Sequence, residues 1–466
     1  MWCLTLHAQT TIKSLMADSI TTSHVVAIPY PGRGHINPMI NLCNLISLRR
    51  PSDLLITVVV TEEWLGFIGS DPKPANVRFA TIPNVIPSEL NRASDFPGFI
   101  KSVQTKLEDP VEKLLRRMEI PATVIVYDTY LMWMLDLGRR LDIPVASFFT
   151  MSATVFSMCY HHDLLLRNGH TGDDYFSEKD EEVIDYIPGV PPMRVADLVT
   201  GFNGKGKEVF PVALKAILMA DKAQFLLFVS VYELEDKVID ALKSELSVPV
   251  YAIGPSIPYY KVRNDQNTPD YLVWLDRQPE GSVLYISQGS FLSVSDAQLE
   301  EIVAGVHESG VRYMWIARGE TARFRRENDE KGIVIPWCDQ LRVLCHGSVG
   351  GFWSHCGWNS TKEGAYAGVP MLTFPIFWDQ VSNSKMIVED WKLGRRVRVD
   401  EGILVTRDEI AKLIKSFMDE ESEEGKQMRK RAREIKKICR QATNEGGPAE
   451  KDIDLFIGDI LNSRNN

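Results

Sequence analysis

Two successive series of strand-like and helix-like segments constrain this chain more than any other feature. Continuous apolar, β-rich stretches occur at 24–30, 54–61, 77–82, 123–127, 144–150 and 225–232, with helical patterns such as 38–49 and 99–118 between them. A second series follows at 282–287, 312–317, 332–336, 349–354, 369–375 and 395–399. Strands apolar on both faces, alternating with amphipathic helices, form parallel sheets covered on both sides. The pattern predicts two doubly wound α/β domains, and a chain of 466 residues is too long for one core. The Pro-, Tyr- and Asn-rich stretch 254–270 is the expected linker. It separates a first domain over 23–253 from a second over 271–445. Residues 1–22 are Ser/Thr-rich, without the basic flank and apolar core of a signal peptide, and read as a disordered tail in which Met16 is an alternative start.

Charge and cysteine content exclude several classes. Lys plus Arg is 52 against 62 Asp plus Glu, a net charge of −10, which gives no footprint for nucleic acid or an anionic membrane. No stretch approaches the roughly 18 apolar residues of a membrane span, so no integral membrane association is expected. Seven cysteines, odd in number and scattered, suit free thiols in the cytoplasm. Cys338, Cys345, His346, His355 and Cys356 contain no CxxC pair, so a zinc site is not expected.

The first candidate site is the loop YPGRGHINP (30–38), directly after the first strand, where an open parallel sheet places its ligands. His35 falls at the start of the following helix, whose dipole disfavours the imidazolium, and a neutral imidazole in a cleft is a competent general base. Asp128 ends the fourth strand-like run and emerges on the same sheet edge. It reads equally as the partner of His35 and as the N-cap of the next helix. Gly32 and Gly34, with Glu62 and Glu63 after the second strand, also form part of a dinucleotide fingerprint, but Asn37 stands where its third glycine belongs. An NAD-dependent dehydrogenase is therefore the alternative from another class.

The second candidate spans the 44 residues from Trp337 to Gln380. It opens with an aromatic platform, Trp337, and reaches HCGWNS (His355, Cys356, Gly357, Trp358, Asn359, Ser360) at a strand-to-helix switch. Free N–H groups at that helix start can bind a diphosphate, assisted by Ser360, Asn359 and the His355 ring. Ser360-x-x-Glu363 is also a capping-box pattern. The stretch closes on Asp379 and Gln380, a carboxylate beside a carboxamide, suited to vicinal sugar hydroxyls. A flat base, a ribose, a diphosphate and a hexose would meet these groups in that order. Asp452-Ile453-Asp454 lies in the last helical segment, far from this box, and reads as a solvated helix face; no metal is expected.

Trp337–Gln380 is similar to the signature of the plant family 1 UDP-glycosyltransferases. PYPGRGHINPMINLC, YELE at 232–235 and WLDRQPEGSVLYISQGS at 274–290 resemble the same family, and the likeness runs from His24 onward. PYPGRGHINP with TEEWLGFIG (61–69) and YISQGSFLSVS resembles its family 87 branch. Asp339 replaces the usual Pro after the aromatic platform, Gln288 the usual Phe before Gly289, and Val199 a frequent Pro.

The resemblance implies a GT-B fold: two doubly wound Rossmann-like domains facing a cleft, with acceptor in the first half, donor in the second, and residues 446–466 a helix returning to the first domain. It implies that Trp337 stacks on uracil, that Gln340 and Glu363 meet the ribose, and that His355, Asn359 and Ser360 hold the diphosphate with Ser290. Trp358, Asp379 and Gln380 would contact the sugar, and Cys338 and Gly357 complete the donor site. His35 becomes the general base of an inverting transfer and Asp128 its partner. UDP-glucose is the expected co-substrate, with no other cofactor, and the expected acceptor is a hydroxyl of a flavonoid, other phenolic, terpenoid or hormone. Ile36, Trp133, Phe148, Phe149 and Met151 are candidates for an apolar acceptor pocket, though each is more commonly an ordinary core residue. A monomer is expected. A catalytically inactive nucleotide-sugar-binding protein is the non-enzyme alternative, though binding alone requires neither His35 nor Asp128.

Overall fold

The computed structural model describes residues 23–69, 73–92, 94–171, 179–201, 206, 208–259, 269–289, 294–317, 330–397 and 404–462. The expected tail 1–22, most of the expected linker and Ser290 lie outside the described residues.

The first series of apolar runs folds into β1 (Ser23–Ile28), β2 (Leu54–Thr61), β3 (Val77–Ile82), β4 (Val124–Asp128), β5 (Val145–Phe149), β6 (Phe225–Phe228) and β7 (Val250–Ala252). β1 and β4 are buried along their whole lengths, as interior strands covered on both faces must be. All seven strands pair in parallel in the order β3-β2-β1-β4-β5-β6-β7. The second series gives β8 (Val283–Ser287), β9 (Arg312–Ile316), β10 (Gly332–Ile335), β11 (Val349–Ser354), β12 (Met371–Thr373) and β13 (Gly394–Arg396). These form a parallel sheet in the order β10-β9-β8-β11-β12-β13.

Five helices matter for the site: α1 (Arg33–Arg49), α2 (Gln340–Leu344), α3 (Trp358–Ala367), α4 (Gln380–Lys385) and α5 (Pro448–Asn462). α5 belongs by sequence to the second half but packs Ile453, Phe456, Ile457 and Ile460 into the apolar cluster of β1 and β2. Its acidic residues complete the attachment. Asp452 accepts from the Ala252 N–H at 2.7 Å, and Glu450 and Asp454 pair with Arg49 at 2.6 and 3.3 Å. Asp452 is thus a fastener between domains, while Asp454 stays 66% exposed, on the solvated face that was expected.

Three other expectations shift. β7 was not expected, being only three residues long between Pro249 and Gly254. α1 begins at Arg33, with Pro38 inside it. The segment 99–118 forms two helices, Phe96–Lys106 and Glu108–Arg117, and Pro110 lies in the first turn of the second, where proline needs no hydrogen-bond partner.

Candidate active site

Each sheet reverses its strand order once at its centre, between β1 and β4 and between β8 and β11. The crevice beyond the carboxyl ends of such strands is where doubly wound sheets bind ligands. His35 follows β1 and Asp128 ends β4, so the first reversal brings them together. The His35 Nδ1 lies 2.7 Å from Asp128 Oδ2, with Asp128 1% and His35 19% exposed. A carboxylate only accepts, so Nδ1 carries the proton and Nε2 is the basic nitrogen. The other Asp128 oxygen accepts from the Tyr130 N–H at 3.1 Å. Asp128 therefore partners His35 and closes a turn at Tyr130, but it does not cap the next helix, which starts only at Trp133 with Met132 before it and no side-chain cap. Thr150, just after β5, places its hydroxyl 3.0 Å from the same His35 nitrogen. Tyr30 and Tyr130 flank the imidazole at 5.1 and 5.9 Å between ring centres.

The second reversal builds the donor side. Cys356 turns the chain in a left-handed conformation, φ 67°, and α3 starts after Gly357 with no side-chain cap, leaving its first N–H groups open. The His355 ring lies against two glycines: a Cβ at Gly289 or Gly357 would come within 2.6 or 2.5 Å of its Nε2. Burial pushes the His355 imidazole down to about 4, so near neutral pH it is a neutral hydrogen-bonding ring. Trp337 is 60% exposed, an open indole at the cleft. Gln340 accepts from the Tyr285 hydroxyl at 3.1 Å and donates to Ser360 Oγ and Glu363 Oε2 at 3.0 and 2.8 Å. Glu363 is thus held by Gln340 and does not cap α3. Burial pushes its carboxyl up to about 7. Cys338 is buried with its sulfur 3.4 Å from the Tyr285 hydroxyl.

Asp379 is buried, receives the Asn383 amide at 2.7 Å and is pushed up to about 6 by burial. Gln380 uses its side-chain oxygen to accept from the Ile376 and Phe377 N–H groups at 2.8 and 3.1 Å, which fixes the turn into α4. Asp339, in place of the more usual Pro, caps α2 by accepting from the Arg342 N–H at 3.2 Å. Its own N–H donates to the Tyr271 hydroxyl at 3.1 Å, a bond that proline lacks the donor to make.

The two sides meet in a cleft of about 1070 Å³. Every expected donor residue lines it except Gln380 and the undescribed Ser290; His35, Thr150 and Met151 line it from the first domain. The expected acceptor wall needs correction. Phe148 and Phe149 are fully buried in the first domain's cores. Ile36 and Trp133 line a separate apolar pocket beneath the loop 30–38. Of the five, only Met151 lines the cleft; Phe148 and Phe149 belong to β5, a strand covered on both faces, where alternate side chains are equally apolar.

Several contacts join the domains around the site. The Trp358 indole N–H donates to the Val229 carbonyl at 2.7 Å, and the Asn359 amide donates to the Gly34 carbonyl at 3.1 Å. Thr200 bonds the backbone of Trp378, and Asp197 pairs with Arg396 at 2.9 Å. Thr150, Thr200 and Asp197 were missed in the sequence. Only Thr150 carried a signal, ending the fifth strand-like run as Asp128 ends the fourth.

Comparison with known proteins agrees with this geometry. Residues 263–432 match the family model "UDP-glucoronosyl and UDP-glucosyl transferase". The chain is 54% identical to UDP-glycosyltransferase 87A2 of Arabidopsis thaliana over 94% of its length and 97% of that protein. It is 52% identical to UDP-glycosyltransferase 87A1 of the same plant, over 93% and 99%. Among solved structures it is similar to Medicago truncatula UGT71G1 complexed with UDP-glucose, with TM-score 0.80 and 28% identity over 95% of this chain and 99% of that one. Phytolacca americana UGT2, complexed with UDP-2fluoro-glucose and pterostilbene, matches with TM-score 0.80 and 26% identity over 94% and 100%. Two parallel sheets facing a cleft form the GT-B fold of these neighbours, and the dehydrogenase and binding-only alternatives fall away. The chain belongs to the plant family 1 UDP-glycosyltransferases, in their family 87 branch.

Proposed function

We propose that this UDP-glycosyltransferase moves glucose from UDP-glucose, with inversion at the anomeric carbon, to a hydroxyl of a small hydrophobic acceptor such as a flavonoid, another phenolic, a terpenoid or a hormone. The observation that carries the reading is the 2.7 Å contact between His35 and Asp128 at the cleft. In this mechanism His35 Nε2 takes the acceptor hydroxyl proton as the oxygen attacks the anomeric carbon. Asp128 offsets the charge gained by the ring. The bond from that carbon to the UDP oxygen breaks as the new one forms, and UDP departs toward the first turn of α3. Its developing charge is met there by backbone N–H groups, Ser360 and the neutral His355 ring.

The bound UDP-glucose of the Medicago neighbour and the pterostilbene of the Phytolacca neighbour favour a glucose donor and a phenolic acceptor. The reading includes a monomeric, cytoplasmic enzyme, in keeping with its free cysteines, that needs no metal because α3 supplies the countercharge.

The test is mass spectrometry of products from UDP-glucose and a panel of flavonols, simple phenolics and terpenoid alcohols, with and without EDTA. A hexose adduct insensitive to EDTA is expected. His35→Ala should cut turnover by roughly 10²–10⁴, the range for lost general-base catalysis, while UDP binding persists. Normal turnover in that variant would overturn the mechanism.

A further inference from the structure

Trp378 is a bulky residue in a left-handed backbone conformation, φ 62°. That region suits glycine and, less well, asparagine; a tryptophan persists there only where surrounding structure imposes it. The imposing residue comes from the other domain. The fully buried Thr200 accepts the Trp378 N–H on its hydroxyl at 2.9 Å and returns its own N–H to the Trp378 carbonyl at 3.3 Å. Asp379 and Gln380 follow directly, so what fixes Trp378 fixes them too.

The indole itself packs against the first domain. It is edge-on to Phe210 at 6.1 Å and packs against the first-domain cluster that contains Phe149, Phe156 and Phe228. Its side chain also reaches the Tyr130 hydroxyl. Tyr130 in turn stands edge-on to His35 at 5.9 Å, and its hydroxyl contacts the sulfur of Met151, which lines the cleft, at 3.6 Å. One ring therefore separates Trp378 from the base, while the adjacent Asp379 lines the cleft. Were the turn needed only to present Asp379 and Gln380, glycine would serve it without strain. The strain is retained for the ring.

We propose that Trp378, though carried by the donor-binding domain, is a wall of the acceptor site that limits acceptor size, and that Thr200 is the positioning residue that holds it there. This rests on the reading of His35 as the base and deepens it. Sugar placement and acceptor selection then share one turn of backbone, braced from the opposite domain.

The test compares purified wild type, Trp378→Gly and Trp378→Asn, both replacements suited to the left-handed conformation. UDP-glucose is the donor, and the acceptors are a single-ring phenol and a three-ring flavonol. In both variants the ratio of kcat/KM for flavonol over phenol should rise at least ~10-fold, since even small changes in an apolar pocket shift discrimination by that order. The KM for UDP-glucose should change little. Thr200→Val, which removes the acceptor for the Trp378 N–H, should shift the ratio and raise the UDP-glucose KM together, with Thr200→Ser restoring both. An active wild type and an unchanged ratio in the Trp378 variants would overturn the wall. A Thr200→Val enzyme with wild-type ratio and KM would overturn the brace. A wild type that neither transfers nor hydrolyses would instead overturn the parent reading, and this one with it.

Discussion

Asn359 donates its side-chain amide to the Gly34 carbonyl at 3.1 Å, and that carbonyl is free to accept because Pro38 stands four residues further along α1. A helical N–H bonds the carbonyl four residues back, and proline has none to offer. The gap lies in the first turn of the helix that carries His35, and a residue of the donor box fills it from across the cleft. Asn359→Ala should cost about 0.5–1.5 kcal/mol in urea unfolding, the net worth of one such bond. In a Pro38→Ala background, where the helix supplies its own donor, the cost should fall close to zero. Equal costs in the two backgrounds, read as a double-mutant cycle, would refute the linkage.

Thr150 shares the His35 Nδ1 with Asp128. Two acceptors on one N–H hold the ring in place more firmly than one and leave Nε2 for the proposed proton transfer. Thr150→Val keeps the shape and removes the second acceptor. Its kcat should fall roughly 2- to 10-fold, the equivalent of one modest hydrogen bond, with UDP affinity by calorimetry unchanged. Thr150→Ser should recover most of the rate. A valine enzyme with wild-type kcat would make Thr150 a packing residue only.

Asp128 was legible in the sequence because a carboxylate ending an apolar run is chemically conspicuous, and the sheet's strand order then put it beside His35. Thr150 ends the next run by the same rule, but a threonine there is unremarkable in a β-rich segment. Phe148 and Phe149 were ambiguous for a physical reason: in a strand covered on both faces, alternation does not separate cleft from core. Pro38 looked like the start of a helix, where proline is favoured. It lies inside α1 instead, and Asn359 satisfies the carbonyl it strands. The contacts of Thr200 with Trp378 and of Asp197 with Arg396 join the two domains, and no local periodicity encodes how two domains face one another.

Glu363 gives a pH dependence of unusual sign. Burial raises its carboxyl from 4.5 to about 7, with Asp339 adding to the rise while Gln340 and Lys362 oppose it. The folded state thus binds this proton more readily than the unfolded chain does. The resulting stabilisation is fully present below the unfolded value and is lost as pH rises through about 7. Lys362, pushed down to about 7 by burial, titrates at the upper edge of that window and is present in both proteins compared. Between pH 4.5 and about 7 the melting temperature of the wild type should therefore fall relative to that of Glu363→Gln, and the difference should level off above. A difference that stays constant across this range would contradict the buried, proton-favouring environment.

Asp197 is 1% exposed and holds two guanidinium groups, Arg194 at 3.0 Å and Arg396 of β13 at 2.9 Å, while its carbonyl accepts from the Ser382 hydroxyl of α4 at 2.8 Å. Removing one member of a buried pair costs more than the pair contributes, because the remaining charge is left without its partner. Among the described residues Arg396 would keep Glu389, at 2.7 Å and half-exposed. Asp197→Ala should lower stability by about 3 kcal/mol and also raise the KM for UDP-glucose, since the clamp seats α4 and the Asp379–Gln380 turn. The solvent-exposed pair of Lys113 and Asp109 is the control. Asp109→Ala should cost no more than ~0.5 kcal/mol and leave the KM unchanged. If the two alanine variants unfold alike, the link between Asp197 and Arg396 does not brace the cleft.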